Sequence, residues 1–87
     1  MKKASIKIKN MNQYNSEGQQ HGYWEYYSYV KLSSKVEYVN GKIHGLFERY
    51  FSNGQLHIKG DVFNDIRIGF WKQYNCNGGL EVTEFIL

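Results

Sequence analysis

The chain has 87 residues, a formal net charge of +3, 15 aromatics (8 Tyr, 5 Phe, 2 Trp), 9 Gly, no Pro and one Cys. That excludes two separate cores, an intrachain disulfide scaffold and any Pro-rich or collagen-like class; the aromatic content argues against disorder. The charge is local: Lys2, Lys3, Lys7 and Lys9 place +4 in the first nine residues, whereas residues 10–87 carry 7 Lys/Arg against 8 Asp/Glu.

In chain order, residues 1–15 read as a basic lead-in. Ile6 and Ile8 alternate with Lys7 and Lys9, which predicts a strand and not the continuous apolar core of a signal peptide. No apolar run reaches the roughly 18 residues of a membrane span. A cytoplasmic protein of one domain is the expectation.

The remainder repeats three times, over residues 16–39, 40–63 and 64–87. Gly18-Gln19-Gln20-His21-Gly22-Tyr23-Trp24-Glu25-Tyr26-Tyr27 aligns with Gly41-Lys42-Ile43-His44-Gly45-Leu46-Phe47-Glu48-Arg49-Tyr50 and with Asp65-Ile66-Arg67-Ile68-Gly69-Phe70-Trp71-Lys72-Gln73-Tyr74. Seven glycines (18, 22, 41, 45, 54, 69 and 78) fall at repeat positions. Each unit reads as a β-hairpin, with return strands over Leu32 to Val39, Leu56 to Phe63 and Leu80 to Ile86. Asn53-Gly54 and Asn77-Gly78 predict type I′ hairpin turns, in which both central residues take positive φ. The first unit is one residue shorter there, with Tyr29-Val30-Lys31-Leu32 and no Gly. Asn40-Gly41 repeats the turn chemistry between hairpins and Asn64-Asp65 approximates it. The absence of Pro fits an unbroken meander, since every strand must donate its N–H groups.

Gly-x-x-x-Gly-x-(Trp/Phe)-x-x-Tyr followed by Asn-Gly-x-Leu resembles the MORN repeat, and more closely the bacterial variant found in YwqK-type proteins, commonly described as antitoxins. The resemblance covers roughly residues 16–87. It departs at Asp65, where the first Gly of the unit is lost, and at Lys31, where the turn Gly is lost. It implies an all-β, antiparallel meander of about three stacked hairpins in a single-layer twisted sheet, without catalytic residues.

Alternation along the first strands sorts side chains onto two faces. One carries Tyr23/Leu46/Phe70, Glu25/Glu48/Lys72 and Tyr27/Tyr50/Tyr74; the other carries Trp24/Phe47/Trp71, Tyr26/Arg49/Gln73 and Ser28/Phe51/Asn75. Two readings compete. A single layer has no second layer to bury against, so aromatic ladders on both faces can be the stabilising element. Alternatively, Trp24, Tyr26, Phe47, Arg49, Phe51 and Trp71 form an exposed partner-binding strip, of the residue types that dominate interface hot spots. A second copy of the chain is another candidate cover, through open edge strands.

Catalytic chemistry finds little support. His21 and His44 share a repeat position but lack further ligands at metal-site spacing, and read as turn-adjacent residues. His57 has no evident partner. Cys76 sits at a hairpin tip without a base to activate it. Glu25 and Glu48 are expected as neighbours facing Lys72, a surface charge ladder more than an acid/base pair. No enzyme, metal or cofactor is expected. The leading functional expectation is a non-enzymatic module that binds and neutralises a protein, either antitoxin-like or as a phage-encoded inhibitor of a defence effector of the anti-CRISPR kind. The alternatives are association with a membrane surface through Lys2, Lys3, Lys7 and Lys9 and, with less support from the near-neutral body, binding of single-stranded nucleic acid.

Overall fold

The computed structural model describes residues 11–87. The strand expected over Ile6 and Ile8, and the basic cluster Lys2, Lys3, Lys7 and Lys9, lie outside the described residues. Among the described residues, seven strands follow one another in chain order across one open sheet: β1 (Gln13–Tyr14), β2 (Gln20–Ser28), β3 (Lys31–Val39), β4 (Lys42–Tyr50), β5 (Leu56–Phe63), β6 (Ile66–Tyr74) and β7 (Leu80–Ile86). Every neighbouring pair is antiparallel. The chain is thus the expected all-β meander, with β2–β3, β4–β5 and β6–β7 as its hairpins and a least extent of 15 Å. No helix among the described residues is long and apolar enough to cross a membrane. The two-residue β1 was not legible in the sequence.

The seven repeat glycines all have positive φ, while Gly60 and Gly79 do not. The links between hairpins are the type I′ turns expected: Asn40-Gly41 has φ of 48° and 86°, and Asn64-Asp65 has 48° and 69°. Asp65 replaces Gly in this left-handed position by hooking onto the preceding link. Its carboxylate accepts the Ile43 N–H at 2.8 Å, and its own N–H donates to the Ile43 carbonyl at 2.8 Å.

The hairpin tips correct the type I′ expectation. Only Gly54 and Gly78 take positive φ there, and the closing bonds run from the Phe51 N–H to the Gln55 carbonyl and from the Asn75 N–H to the Gly79 carbonyl. These are three-residue loops whose Gly forms the left-handed last position. The Asn75 side chain favours the wider loop by accepting the N–H groups of Asn77 and Gly79. Asn15 does the same for Glu17 and Gln19 in the turn between β1 and β2. Gly18 is therefore the structural counterpart of Gly54 and Gly78, not of Gly41 as the repeat alignment placed it.

Register slips also recur. Pairing jumps by one residue after Tyr26–Ser34, Arg49–Ile58 and Gln73–Val82, resuming at Tyr27–Leu32, Tyr50–Leu56 and Tyr74–Leu80 and leaving Ser33, His57 and Glu81 as extra residues 24 positions apart. A second slip falls where β3 meets β4, at Gly45. Gly is required there because φ is 111° and the Glu37 carboxylate fills the place of a Cβ, with its Oε1 accepting the Leu46 N–H at 3.2 Å.

Among the described residues, three hydrophobic side chains are buried: Val36, Val62 and Trp71. All lie on the face that carries the tryptophans. With no second layer, burial comes from cross-strand neighbours on the same face.

Candidate functional site

Cross-strand pairing sets the order of side chains on the Trp face. Trp24 opposes Val36, Val36 opposes Phe47, and Phe47 opposes Gly60; Trp71 opposes Glu84. A return strand therefore stands between each pair of first strands, and the aromatics do not stack as a simple ladder. Gly60 decides where they meet: the Trp71 indole occupies the space a Cβ would need. Freed from that obstacle, Trp71 leans over β5 and its ring centroid comes to 5.6 Å from that of Phe47. The indole N–H donates to the carbonyls of Asp61 and Ile68 at 3.0 and 3.1 Å, and the Arg67 guanidinium lies 4.4 Å above the ring.

Trp24 likewise leans over the strand before its own, here the two-residue β1, while Val36 opposes it on β3. It packs against Tyr14, Tyr26 and Tyr38 at 5.1, 6.1 and 6.1 Å, and its indole donates to the Gln13 carbonyl at 3.0 Å. The hydroxyls of Tyr26 and Tyr38 are 2.8 Å apart, and Gln20 donates to Tyr26. Burial and this hydroxyl contact push the Tyr38 phenol up to about 12.

The six residues expected to form an outward strip are thus distributed unevenly. Trp71 is only 3% exposed and holds the sheet together; Trp24, Tyr26, Phe47 and Phe51 are half-buried, and Arg49 is exposed. Arg49 lies over the Phe47 ring at 5.6 Å. Phe51 belongs to the tip of the second hairpin, where it stacks on His57 at 4.1 Å. His57 therefore has a partner that sequence reasoning missed, because the bulge at His57 is what brings it beside the turn.

The opposite face carries a row of charges that alternates as far as Lys59. Glu25 pairs with Lys35, Lys35 with Glu48, Glu48 with Lys59, and Lys59 with Lys72. Glu25 and Glu48 are consequently separated by Lys35 and are not the adjacent carboxylates the repeat suggested. Each instead accepts a hydroxyl from a Tyr two residues on: Tyr27 to Glu25 at 2.6 Å and Tyr50 to Glu48 at 2.7 Å. Burial first, then this bond, raises the Tyr50 phenol to about 12; for Tyr27 the bond to Glu25 is the main cause of an upward shift.

His21 and His44 behave as turn-adjacent repeat residues. The His21 Nδ1 accepts the Asn40 N–H at 3.2 Å, and the His44 Nδ1 lies 3.3 Å from the Asn64 Oδ1. Among the described residues, no three His, Cys, Asp or Glu side chains come together as a metal site. Cys76 is exposed at its tip, with its carbonyl bound by the Asn53 side chain at 2.7 Å.

That bond ties the second and third tips to each other, and the first tip cannot take part. Its two-residue turn, closed by the Ser28–Lys31 pair, is shorter. Between this short tip and the longer β4–β5 loop opens a groove of about 550 Å³, lined by Tyr29, Val30, Leu32, Tyr50, Phe51 and neighbouring Ser and Lys residues. Tyr29 and Val30 project from its rim, 99% and 90% exposed, and Tyr29 sits at φ 58°. A β-hairpin normally places Gly, Asn or Asp in such a conformation. The lost Gly of the first unit was visible in the sequence; the groove it creates was not. Comparison of the chain with protein-family models, with curated proteins and with solved structures finds no match in any of the three.

Proposed function

We propose that this chain is a non-enzymatic protein-binding module of the MORN-repeat type, which binds and neutralises a partner protein in the cytoplasm. An antitoxin-like role and inhibition of a defence effector are two settings for this one physical activity. The observation that carries the reading is the first hairpin tip. Tyr29 is held in a conformation costing an L-residue about 1 kcal/mol or more, and its ring and Val30 remain in solvent beside an apolar groove. Backbone strain and exposed apolar surface both oppose stability, and a binding role gives a reason for them to persist together. A rigid Tyr anchor beside a groove suits a partner that seats the ring in a pocket and fills the groove with an apolar side chain. Phe51 and Arg49, on the adjoining hairpin, extend the same surface.

The test is affinity co-purification of the tagged full chain from its native cell, followed by the double substitution Tyr29→Gly with Val30→Asn. That pair provides a turn sequence suited to the backbone and removes both anchors. Loss of one defined, stoichiometric partner, together with equal or higher thermal stability, is the expected result. Retention of that partner by the folded variant would refute the tip as the binding site.

A further inference from the structure

The last strand breaks the repeat in a way the fold does not require. Opposite Tyr23, Leu46 and Phe70 stand Glu37, Asp61 and Phe85; opposite Trp24, Phe47 and Trp71 stand Val36, Gly60 and Glu84. Acid and apolar positions have thus exchanged faces in β7. Glu84 points to the Trp face, and Phe85 stacks on Phe70 at 4.7 Å on the other, where both rings remain more than half exposed.

The two sheet edges differ as well. Beside β2, Asn12 acts as a plug: its N–H donates to the Tyr23 carbonyl, its Oδ1 accepts the Glu25 N–H at 2.8 Å, and its Nδ2 faces the Glu25 carbonyl at 3.4 Å. Beside β7, no strand pairs with the far edge among the described residues. From Val82 to Ile86 that edge has no Lys, Pro or bulge, which are the usual guards against strand addition. Its ionisable side chains, Glu81 and Glu84, are both acidic and both exposed.

We propose that the occupant of this edge is the basic segment of residues 2–9 from a second copy of the chain. Charge complementarity carries the choice: Lys2, Lys3, Lys7 and Lys9 meet Glu81 and Glu84. The alternation matches too. Lys7 and Ile8 would face opposite ways in an added strand, as Glu84 and Phe85 do, so that Lys lies by Glu84 while Ile covers Phe85. Reach excludes the chain's own segment. Met11 bridges to Tyr23 at the β2 end of the sheet, and seven strands at their usual spacing put β7 about 29 Å away. Ten extended residues span at most about 33–36 Å, so crossing the sheet would leave only about one or two, too few to pair along β7.

Sedimentation of the full chain at low and high salt tests this, using two charge-reversed variants. Glu81→Lys/Glu84→Lys and Lys7→Glu/Lys9→Glu should each associate about tenfold or more weakly than the native chain. An equimolar mixture of the two should recover association, because each then offers the other an oppositely charged partner. Recovery on mixing also shows that both variants fold; Glu84→Gln is the milder version should the reversal unfold β7. A native chain that stays monomeric at every concentration and low salt would overturn the proposal. So would variants that associate unchanged, or a mixture of folded variants that does not recover.

Discussion

Two halves of one face solve the same problem differently. In the C-terminal half, Gly60 makes room, Trp71 lies flat over β5, and its ring is buried against Phe47 under Arg67. In the N-terminal half, the strand before β2 is only the two-residue β1, and Trp24 packs into a looser group with Tyr14, Tyr26 and Tyr38. Both indoles satisfy their N–H on a carbonyl of the preceding strand, Gln13 for Trp24 and Asp61 for Trp71. The aromatic column and its hydrogen bond are therefore shared, and the strand standing before each tryptophan decides how much is buried: the 8-residue β5 with its Gly60 beside Trp71, the 2-residue β1 beside Trp24. In a one-layer sheet that strand does the work of a second layer.

The contrast is broken most strongly at the tryptophans themselves. Trp71→Ala should cost about 3–5 kcal/mol, the range for a buried aromatic, and leave a chain of this size largely unfolded. Trp24→Ala, from a half-buried site, should cost about 1–2 kcal/mol and leave a cooperative transition. Paired urea denaturation curves measure both, and equal losses would contradict the asymmetry.

Gly60→Ala is the next largest. Its added methyl meets the Trp71 ring, so that either the ring lifts or the strands part, at about 1–3 kcal/mol. Near-UV circular dichroism should lose the Trp71 signal while the far-UV spectrum is retained. A native-like near-UV spectrum would show that the close approach is unimportant.

The smallest effect separates the tyrosines by pH. Tyr38 and Tyr50 have phenols raised from 10 to about 12, so the folded state favours their protonated forms. Their contribution is fully present below pH 10 and declines as pH climbs through about 12. Thermal unfolding across that window should therefore show falling stability. Tyr38→Phe removes the phenol shared with Tyr26, and Tyr50→Phe removes the one bound to Glu48; each should flatten the decline. An unaltered slope in both variants would disprove the assignment.

Much of this was legible before any coordinates. The Gly and aromatic spacing gave three hairpins, two return strands with the bounds observed, and seven glycines at repeat positions, all of which the structure shows at positive φ. The chemistry is local, since a left-handed turn residue or a missing Pro constrains backbone within a few positions. The two Asn-Gly tips were misread as type I′ because the Asn75 and Asn53 side chains, by bonding loop N–H groups, favour a longer loop over the tight one. Reading only the first strands placed Glu25 beside Glu48 and Trp24 beside Phe47, since the return strand between them is invisible in an alignment of units.

By itself, then, the sequence determined the class of fold, the strand order and which residues share a face, through turn chemistry and the two-residue period of a strand. Burial, the open β7 edge and the groove beside Tyr29 were decided only in three dimensions. Each depends on what stands across the sheet: Gly60 beside Trp71 or the short β1 beside Trp24, a long loop or a short one beside Phe51, Asn12 beside β2 and no described strand beyond β7. Cross-strand neighbours lie tens of residues away in the chain, so their sizes meet only when the sheet forms.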